Sequence, residues 1–367
     1  MRIAAVDVFE KTYHVEPGPF AMSGHRVVSE QHGTIVRIGT DTGDVGWGEQ
    51  CSFSPAYIPG HAAATLAVLP LLATAILGCD PREVEKVHEI MDAAVVGHEY
   101  AKSALDIACW DLFGRVTGLR VCELLGGARD EEVTLYKAVS LGSPAIMAKR
   151  AAEIYENGYR LLQVKVGDDW REDVSRVMAC VEAVPDIDRV VVDANGRLPG
   201  HEAIRLAGHL RDTDVYLEQP CATTRECSAV RQLSGKPIVL DESLTDFPTL
   251  LSALNGGGVD AARLKLSRFG GITPLRKARD ICAALGVAIS VEDSAGGDIV
   301  SAAILHLAAS TPAERRFDAF IPSGEVRERV ASVPLVPQRG RARTPQGPGL
   351  GVEVDIQSLG TPVAQFR

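Results

Sequence analysis

Hydrophobic positions in the second part of the chain recur as short β-rich runs, separated by longer segments with helical periodicity. From about Thr134 these runs are TLYKAVSLG, RLLQVKVG, RVVVDANG, VYLEQP, PIVLDES, ARLKLSRFGG, AISVEDSAGG and RRFDAF. Apolar strands that alternate with helices indicate a parallel sheet wrapped by helices. Eight runs favour a (β/α) barrel. A doubly wound open sheet is the alternative, but no G-x-G-x-x-G motif follows the first strand.

The first part of the chain has a different pattern, which predicts an antiparallel sheet followed by helices. GTIVRIGTDTGDVGWGEQ contains two β-patterned runs around a turn at Asp41–Asp44, a hairpin signal. Two helical segments follow, HAAATLAVLPLLATAIL and YAKSALDIACWDLFGRVTG, the second closed by Gly118. We predict an α+β capping domain at 1–127, the barrel at 128–332 and a C-terminal segment at 333–367 that packs back on the capping domain.

Composition excludes several classes of protein. The 367 residues are 46% hydrophobic and carry a formal net charge of -10, which disfavours binding to nucleic acid. The N-terminus has no apolar signal-peptide core, and no apolar stretch reaches membrane-spanning length. The eight cysteines are scattered singly without a C-x-x-C pair, so a zinc site is not expected. We therefore expect a cytoplasmic enzyme that acts on a small molecule.

Three consecutive predicted strands end in a carboxylate: Asp193, Glu218 and Asp241. We call these three residues the acidic ladder. The strands of a parallel barrel all end on one face, where active sites of this architecture lie. Three carboxylates gathered there repel one another unless a cation sits between them, and oxygen ligands without Cys or His favour magnesium over zinc. Helix capping by each residue separately is the alternative, but three successive cases disfavour it.

Four polar residues accompany the ladder. Asn195 and Glu242 are close to it in sequence and could orient the ligands. Lys165 lies on the strand before the ladder and Lys265 on the strand after it, so around a barrel they approach the metal from opposite sides. A lysine is neutral at pH 7 only at a cost of about 4.6 kcal/mol. Burial and a nearby divalent cation reduce that cost, so the pair suits abstraction and return of a proton α to a carboxylate.

These elements, taken in order, resemble the enolase superfamily, in its mandelate racemase and muconate lactonizing enzyme branch. The likeness covers GWGE at Gly46–Glu49, AKSALDIACWDLFG, VKVG, DAN, EQP, DES and KLSRFGG. It implies a barrel of the modified TIM type, with seven to eight strands, under an α+β capping domain. It also implies one Mg²⁺ per subunit on the acidic ladder, with Lys165 and Lys265 as the two bases, and a homo-oligomer.

A narrower resemblance links GHEYAKSALDIA, LEQPC, RFGG and EDSAGGDI to hydroxyproline betaine epimerases and cis-3-hydroxyproline dehydratases. The sequence departs from related enzymes at two places. Many relatives with this lysine pair have a helper lysine where this chain has Gln163. Epimerases of the narrower group tend to have Trp in the final strand-end motif, where this chain has Ala295, and this likeness places Ala295 among the substrate contacts. Cation-π binding of a betaine would then depend on Tyr57 or Phe20 of the capping loops.

Asp293 at the end of the same strand suits a substrate cation, and Glu292 is the adjacent alternative, because side chains alternate along a strand. The resulting prediction is a racemase or epimerase of a proline-type amino acid or its betaine. The alternative is a carbon-oxygen lyase, in which the same enediolate expels a β-hydroxyl from cis-3-hydroxyproline. A third possibility is a noncatalytic, metal-stabilised binding protein.

Overall fold

The computed structural model describes all 367 residues. The strands of its first part are β1 (Ile3–His14), β2 (Phe20–Met22), β3 (Arg26–Val28), β4 (Glu30–Thr40) and β5 (Val45–Ser52). With the C-terminal strand β16 (Ala364–Phe366) they form a four-stranded antiparallel sheet in the order β16-β1-β4-β5 and a separate β2-β3 hairpin. The helices are α1 (Ala62–Ile76), α2 (Val84–Ala94), α3 (Glu99–Thr117) and α4 (Val121–Leu124). The predicted β4-β5 hairpin is confirmed, whereas α2 and β2-β3 were not predicted.

The second part is an eight-stranded parallel sheet, curled into a barrel, in the order β14-β13-β12-β11-β10-β9-β8-β7. After β6 (Glu132–Thr134), its strands are β7 (Lys137–Val139), β8 (Leu161–Lys165), β9 (Arg189–Asp193), β10 (Tyr216–Glu218), β11 (Ile238–Leu240), β12 (Ala261–Lys265), β13 (Ala288–Glu292) and β14 (Arg316–Ala319). The barrel helices are α5 (Pro144–Glu156), α6 (Trp170–Ala183), α7 (Gly200–His209), α8 (Thr224–Ser234), α9 (Phe247–Asn255), α10 (Leu266–Phe269), α11 (Ile272–Ala284) and α12 (Asp298–Ser310). The predicted fold class is confirmed, and all eight predicted runs form barrel strands.

The barrel is closed mainly by side chains. Neighbouring strands from β7 to β14 are joined by parallel ladders, but no ladder joins β14 back to β7. The backbone contact across this seam is the hydrogen bond from Tyr136 N to Ala319 O, at 3.0 Å. The Tyr136 ring also stacks on Phe320, with ring centroids 5.3 Å apart. Closure therefore depends on the residues that flank the two edge strands.

The two glycines of the GWGE motif allow β5 to pack directly on α3. A Cβ atom at Gly46 would lie 2.4 Å from the carbonyl oxygen of Ala108. At Gly48 it would lie 1.8 Å from the carbonyl oxygen of Ala104. Neither distance is compatible with a side chain, so the motif is explained by the close approach of helix to strand.

Glu49 of the same motif joins the capping domain to the barrel. Its carboxylate accepts hydrogen bonds from the Tyr13 hydroxyl at 2.5 Å, from Gly297 N at 2.9 Å and from Val300 N at 3.0 Å. Gly297 is the N-cap residue of α12 and Val300 lies in its first turn, where backbone N–H groups have no partner within the helix. Glu49 therefore caps a barrel helix from the capping domain.

The C-terminal segment contacts both parts of the molecule. Its strand β15 (Arg341–Arg343) pairs with β6, just before the barrel. Its strand β16 (Ala364–Phe366) pairs antiparallel with β1, with Phe366 opposite Val6. The segment thus adds an edge strand to the capping sheet, but it also packs beside the barrel. No helix in the structure has the length and apolarity needed to cross a membrane.

His306, in the fully buried α12, makes stability depend on pH. Its Nδ1 accepts from Cys122 N at 3.3 Å and its Nε2 lies 3.1 Å from Leu350 O, a pattern that requires a neutral ring. Burial lowers its pKa to about 4. Below pH 6.5 His306 is protonated in the unfolded chain but stays neutral in the native state until the pH approaches 4. We expect unfolding free energy to fall by about 2 kcal/mol between pH 7.5 and pH 5 through this residue.

Urea unfolding at both pH values, compared with His306→Gln, measures this contribution. Glutamine retains a donor and an acceptor but does not titrate in this range. The variant should lose less stability than the parent protein on acidification. Equal losses in the two proteins would show that His306 is not responsible.

Candidate active site

The acidic ladder and the first lysine lie side by side at the C-terminal ends of neighbouring strands. Lys165 of β8 is in register with Asp193 of β9, which is in register with Glu218 of β10. Asp241 follows the last residue of β11. All four side chains are buried. The parallel register therefore gathers a lysine and three carboxylates on one face of the barrel.

Asp193 is held by two residues near it in space. Lys165 Nζ donates to Asp193 Oδ2, and Asn195 donates to both oxygens, from its backbone N and its side chain, at 2.8 Å each. The same Asn195 amide donates to Glu242 Oε1 at 2.9 Å. Burial, together with Asp241 and Asp193, raises the pKa of Glu242 to about 7. Asn195 thus bridges Asp193 and Glu242.

Glu218 has a neutral partner that lines the cavity and a cationic partner that does not. Gln163 Nε2 lies 3.0 Å from each of its carboxylate oxygens. Arg263 Nε lies 2.7 Å from Oε2. Burial raises the pKa of Glu218 well above its ordinary value; Arg263 opposes the shift, while Asp193 and Asp241 add to it. The charged form of Glu218 is therefore less favoured by its surroundings than that of Asp241, whose pKa is lowered.

Asp241 lies between two cations, one of which is the second predicted base. Lys265 Nζ donates to its Oδ2 at 2.5 Å, and Arg268 Nη1 donates to its Oδ1 at 2.8 Å. Burial would raise the pKa of Asp241, but Lys265 and Arg268 outweigh burial and hold it below its usual range. Burial would likewise lower the pKa of Lys265, but Asp241 and Glu292 outweigh it and raise that pKa. A divalent cation bound to these carboxylates would offset their charge and so stabilise the ammonium form of Lys265 less than the free carboxylates do.

A cavity of about 580 Å³ opens at this face, and both Lys165 and Lys265 line it. Its wall also includes Phe20, Tyr57, Glu292, Asp293 and Ser294. Tyr57 comes from the loop after β5, and its hydroxyl lies 3.3 Å from Asp241 Oδ2. The capping domain thus contributes aromatic side chains to the same cavity that the two lysines face.

At the end of β13, Glu292 and Asp293 make different contacts, and Ala295 does not lie where it was expected. Glu292 points into the barrel, where its Oε1 lies 3.0 Å from Lys265 Nζ. Asp293 accepts from Ser267 N at 2.8 Å and so holds the start of α10, although it also lines the cavity. Ala295, expected among the substrate contacts, is fully buried in the hydrophobic core and does not line the cavity. The backbone turns after β13, so Ser294 faces the cavity instead.

Two family models match almost the whole chain. Residues 3–126 match the mandelate racemase / muconate lactonizing enzyme N-terminal domain, and residues 146–358 match the enolase C-terminal domain-like family. The chain is a member of the enolase superfamily. The resemblance drawn from the motifs is thereby confirmed.

Named relatives place this enolase superfamily member among enzymes. It is 39% identical, over 100% of both chains, to a cis-3-hydroxy-L-proline dehydratase from Roseibium aggregatum. It is 28% identical to an N-succinyl-L-Arg/Lys racemase from Bacillus cereus, over 98% of this chain and 97% of the relative. Among solved structures, a superfamily member from Roseovarius nubinhibens complexed with magnesium has a TM-score of 0.94 and 34% identity, over 100% of this chain and 99% of the other. The chain is an enzyme of this superfamily.

The donor set of the acidic ladder fits a hard divalent cation, the kind of ion that superfamily members bind. It offers buried carboxylate oxygens, and the nearby Glu242 Oε2 is buried without a hydrogen-bond partner. In this structure the ladder oxygens do not all lie within 4.8 Å of one another, and each carboxylate contacts a cationic or amide partner. Three ligand atoms lie within 4.8 Å of one another only at His88, Asp92 and Glu99 in the capping domain. There Lys102 Nζ already lies 2.7 Å from Asp92 and 3.2 Å from Glu99.

Three residues that contact the site were missing from the sequence-based set. Arg263, Arg268 and Tyr136 are all buried and hydrogen-bonded to carboxylates of the site. A signal for Arg263 was present, because residues two apart on a strand share a face and Lys265 faces the cavity. Arg268 lies on a short helix, where that alternation does not apply.

Proposed function

We propose that this enzyme is a magnesium-dependent dehydratase that removes water from a cis-3-hydroxyproline-type amino acid. The observation that carries the proposal is the 39% identity, over the full length of both chains, to the Roseibium aggregatum dehydratase. The sequence alone placed epimerisation first and dehydration second. Both reactions begin with abstraction of the proton α to the carboxylate, so the same residues serve either one.

The two lysines suit the stereochemistry of this elimination. A hydroxyl group cis to the carboxylate lies on the ring face opposite the Cα hydrogen. Elimination therefore needs a base on one face and an acid on the other. Lys165 on β8 and Lys265 on β12 belong to strands separated by three others, and both face the cavity.

In the proposed reaction one lysine takes the Cα proton. The electron pair of the broken C–H bond forms the Cα–Cβ double bond, and the hydroxyl leaves as water with a proton from the other lysine. The resulting enamine tautomerises to a cyclic imine. Bound to Asp193, Glu218 and Asp241, Mg²⁺ would supply stabilisation of the negative charge that develops on the substrate carboxylate. Glu292 or Asp293 would face the substrate ammonium group.

Racemisation or epimerisation remains the second candidate. It is favoured by the opposed lysines themselves, since a second lysine can return a proton to the other face of Cα, and by relatives named as racemases and epimerases. The two candidates differ in the fate of the β-hydroxyl. A noncatalytic binding role is disfavoured because the relatives are named as enzymes.

Incubation with cis-3-hydroxy-L-proline and Mg²⁺ in D₂O, followed by proton NMR, tests the proposal. We expect loss of the substrate signals and formation of a cyclic imine, which borohydride reduces to proline. Chelation of the metal with EDTA should stop the reaction. Proline, trans-hydroxyprolines and N-methylated prolines should be tested as substrates under the same conditions.

The outcomes separate the candidates. Deuterium at Cα with inversion and an intact hydroxyl would assign an epimerase and reject the dehydratase. Absence of both exchange and elimination with every compound would reject the proline-type substrate.

A further inference from the structure

Glu218 differs from the other two ladder carboxylates in what balances its charge on the cavity side. Asp193 is paired with Lys165, and Asp241 with Lys265. At the equivalent place beside Glu218 stands Gln163, a neutral amide. Gln163 can aim the carboxylate but cannot offset its charge.

The cation that does face Glu218 is Arg263, which lies in the barrel interior with no solvent exposure. Besides its contact with Glu218, Arg263 Nη1 lies 3.0 Å from Glu292 and 3.0 Å from Asp318. Its guanidinium also lies 4.3 Å from the centre of the Tyr136 ring. One guanidinium therefore faces three buried carboxylates. Water does not screen these charges, so each carboxylate depends strongly on its cationic contacts.

Two of these carboxylates belong to the candidate active site. Glu218 is a proposed metal ligand, and Glu292 lies 3.0 Å from Lys265, one of the two proposed acid-base groups. Arg263 does not line the cavity, so it contacts neither substrate nor reacting atoms. Its influence on the reaction has to pass through the carboxylates that it holds.

We propose that Arg263 is a positioning residue that supplies, from behind the cavity wall, the positive charge that Gln163 does not supply on the cavity side. It fixes the Glu218 carboxylate for metal binding and keeps Glu292 against Lys265. The inference rests on the proposed function for its catalytic consequence. Its consequence for metal binding does not depend on which substrate is correct.

Removal of the charge by Arg263→Gln is the first arm of the test. Residues that orient metal ligands typically affect metal affinity or activity by about 10- to 100-fold. We expect Mg²⁺ binding to the substrate-free protein, measured by calorimetry, to weaken by that factor. At saturating Mg²⁺, kcat should fall at least about tenfold, while KM for the amino acid changes less than about threefold.

Relocation of the charge is the second arm. Because Gln163 Nε2 is 3.0 Å from both Glu218 oxygens, Gln163→Lys brings an ammonium group to the same carboxylate. In the Gln163→Lys/Arg263→Gln protein, we expect the Mg²⁺ affinity to return to within about threefold of the parent value and kcat to rise with it. The melting temperature should stay below that of the parent, because Glu292 and Asp318 still lack their contacts with the guanidinium. Gln163→Met in the same background is the matched control and should restore nothing.

The proposal is overturned if Arg263→Gln binds Mg²⁺ as the parent does, or if Gln163→Lys fails to restore affinity. The second result would assign Arg263 a purely structural role. If Arg263→Gln does not fold, the same comparison is made in Arg263→Lys, which keeps a positive charge but loses the planar set of guanidinium N–H donors. An affinity lowered in Arg263→Lys must again recover when Gln163→Lys is added, and absence of recovery, or of any initial loss, overturns the proposal. If the parent protein converts no proline-type substrate, the proposed function fails while the Mg²⁺ measurements still decide the role of Arg263.

Discussion

Lys165→Met and Lys265→Met are each expected to lower kcat for conversion of cis-3-hydroxy-L-proline by at least about 10³-fold, because each removes one of the two proton-transfer groups. Methionine retains the length and apolar stem of lysine in these buried positions. The two variants should nevertheless differ in D₂O. The variant that lacks the base loses both exchange at Cα and elimination. The variant that lacks the acid retains exchange at Cα but loses elimination.

Proton NMR in D₂O follows both processes in one sample, so the roles of the two lysines are assigned by the same measurement. Lys236→Met is the matched control. Lys236 lies just before β11 and is also buried, but it donates hydrogen bonds to the carbonyl oxygens of Arg211 and Thr213 and does not line the cavity. The control variant should keep kcat within about threefold of the parent value. A fully active Lys165→Met or Lys265→Met protein would exclude the proposed mechanism.

Glu49→Ala is expected to lower the free energy of unfolding by about 3–5 kcal/mol, because it leaves the Tyr13 hydroxyl and two backbone N–H groups of α12 buried without an acceptor. The effect on stability should be large although Glu49 does not line the cavity. Urea denaturation followed by circular dichroism measures it. Glu49→Gln keeps an acceptor in place and should cost less than Glu49→Ala.

Glu10→Ala, at an exposed position of the same sheet, is the control and should change the free energy of unfolding by no more than about 0.5 kcal/mol. If Glu49→Ala unfolds at the same urea concentration as the Glu10→Ala control, Glu49 does not join the capping domain to the barrel as described.

Strand ends are the feature of this protein that its sequence shows most clearly. Apolar runs that stop at Asp193, Glu218 and Asp241 predicted both the barrel and the position of the acidic ladder, and the parallel register aligns Glu218 with Asp193. The prediction worked because parallel strands end on a common face, so a position in sequence becomes a position in space. Lys165 and Lys265 were found by the same argument.

Residues that act through contacts between distant strands were not predictable in this way. The sequence places Arg263 two positions before Lys265, but nothing local shows that Glu218 and Asp318 converge on it. Ala295 was placed among the substrate contacts because it stands where related epimerases have Trp, but here it packs in the hydrophobic core. In both cases the decisive information lies in how separate elements meet rather than in any one of them.

The seam between β7 and β14 has a consequence for association between copies of the protein. An edge strand presents unpaired N–H and C=O groups, on which strands from another chain can assemble. Here Tyr136 covers the seam, stacked on Phe320 and donating a hydrogen bond to Glu292 at 2.7 Å. The aromatic and acidic side chains of the cavity wall therefore also cover two strand edges. Mutations that loosen these side chains would expose the edges and promote association between copies of the protein.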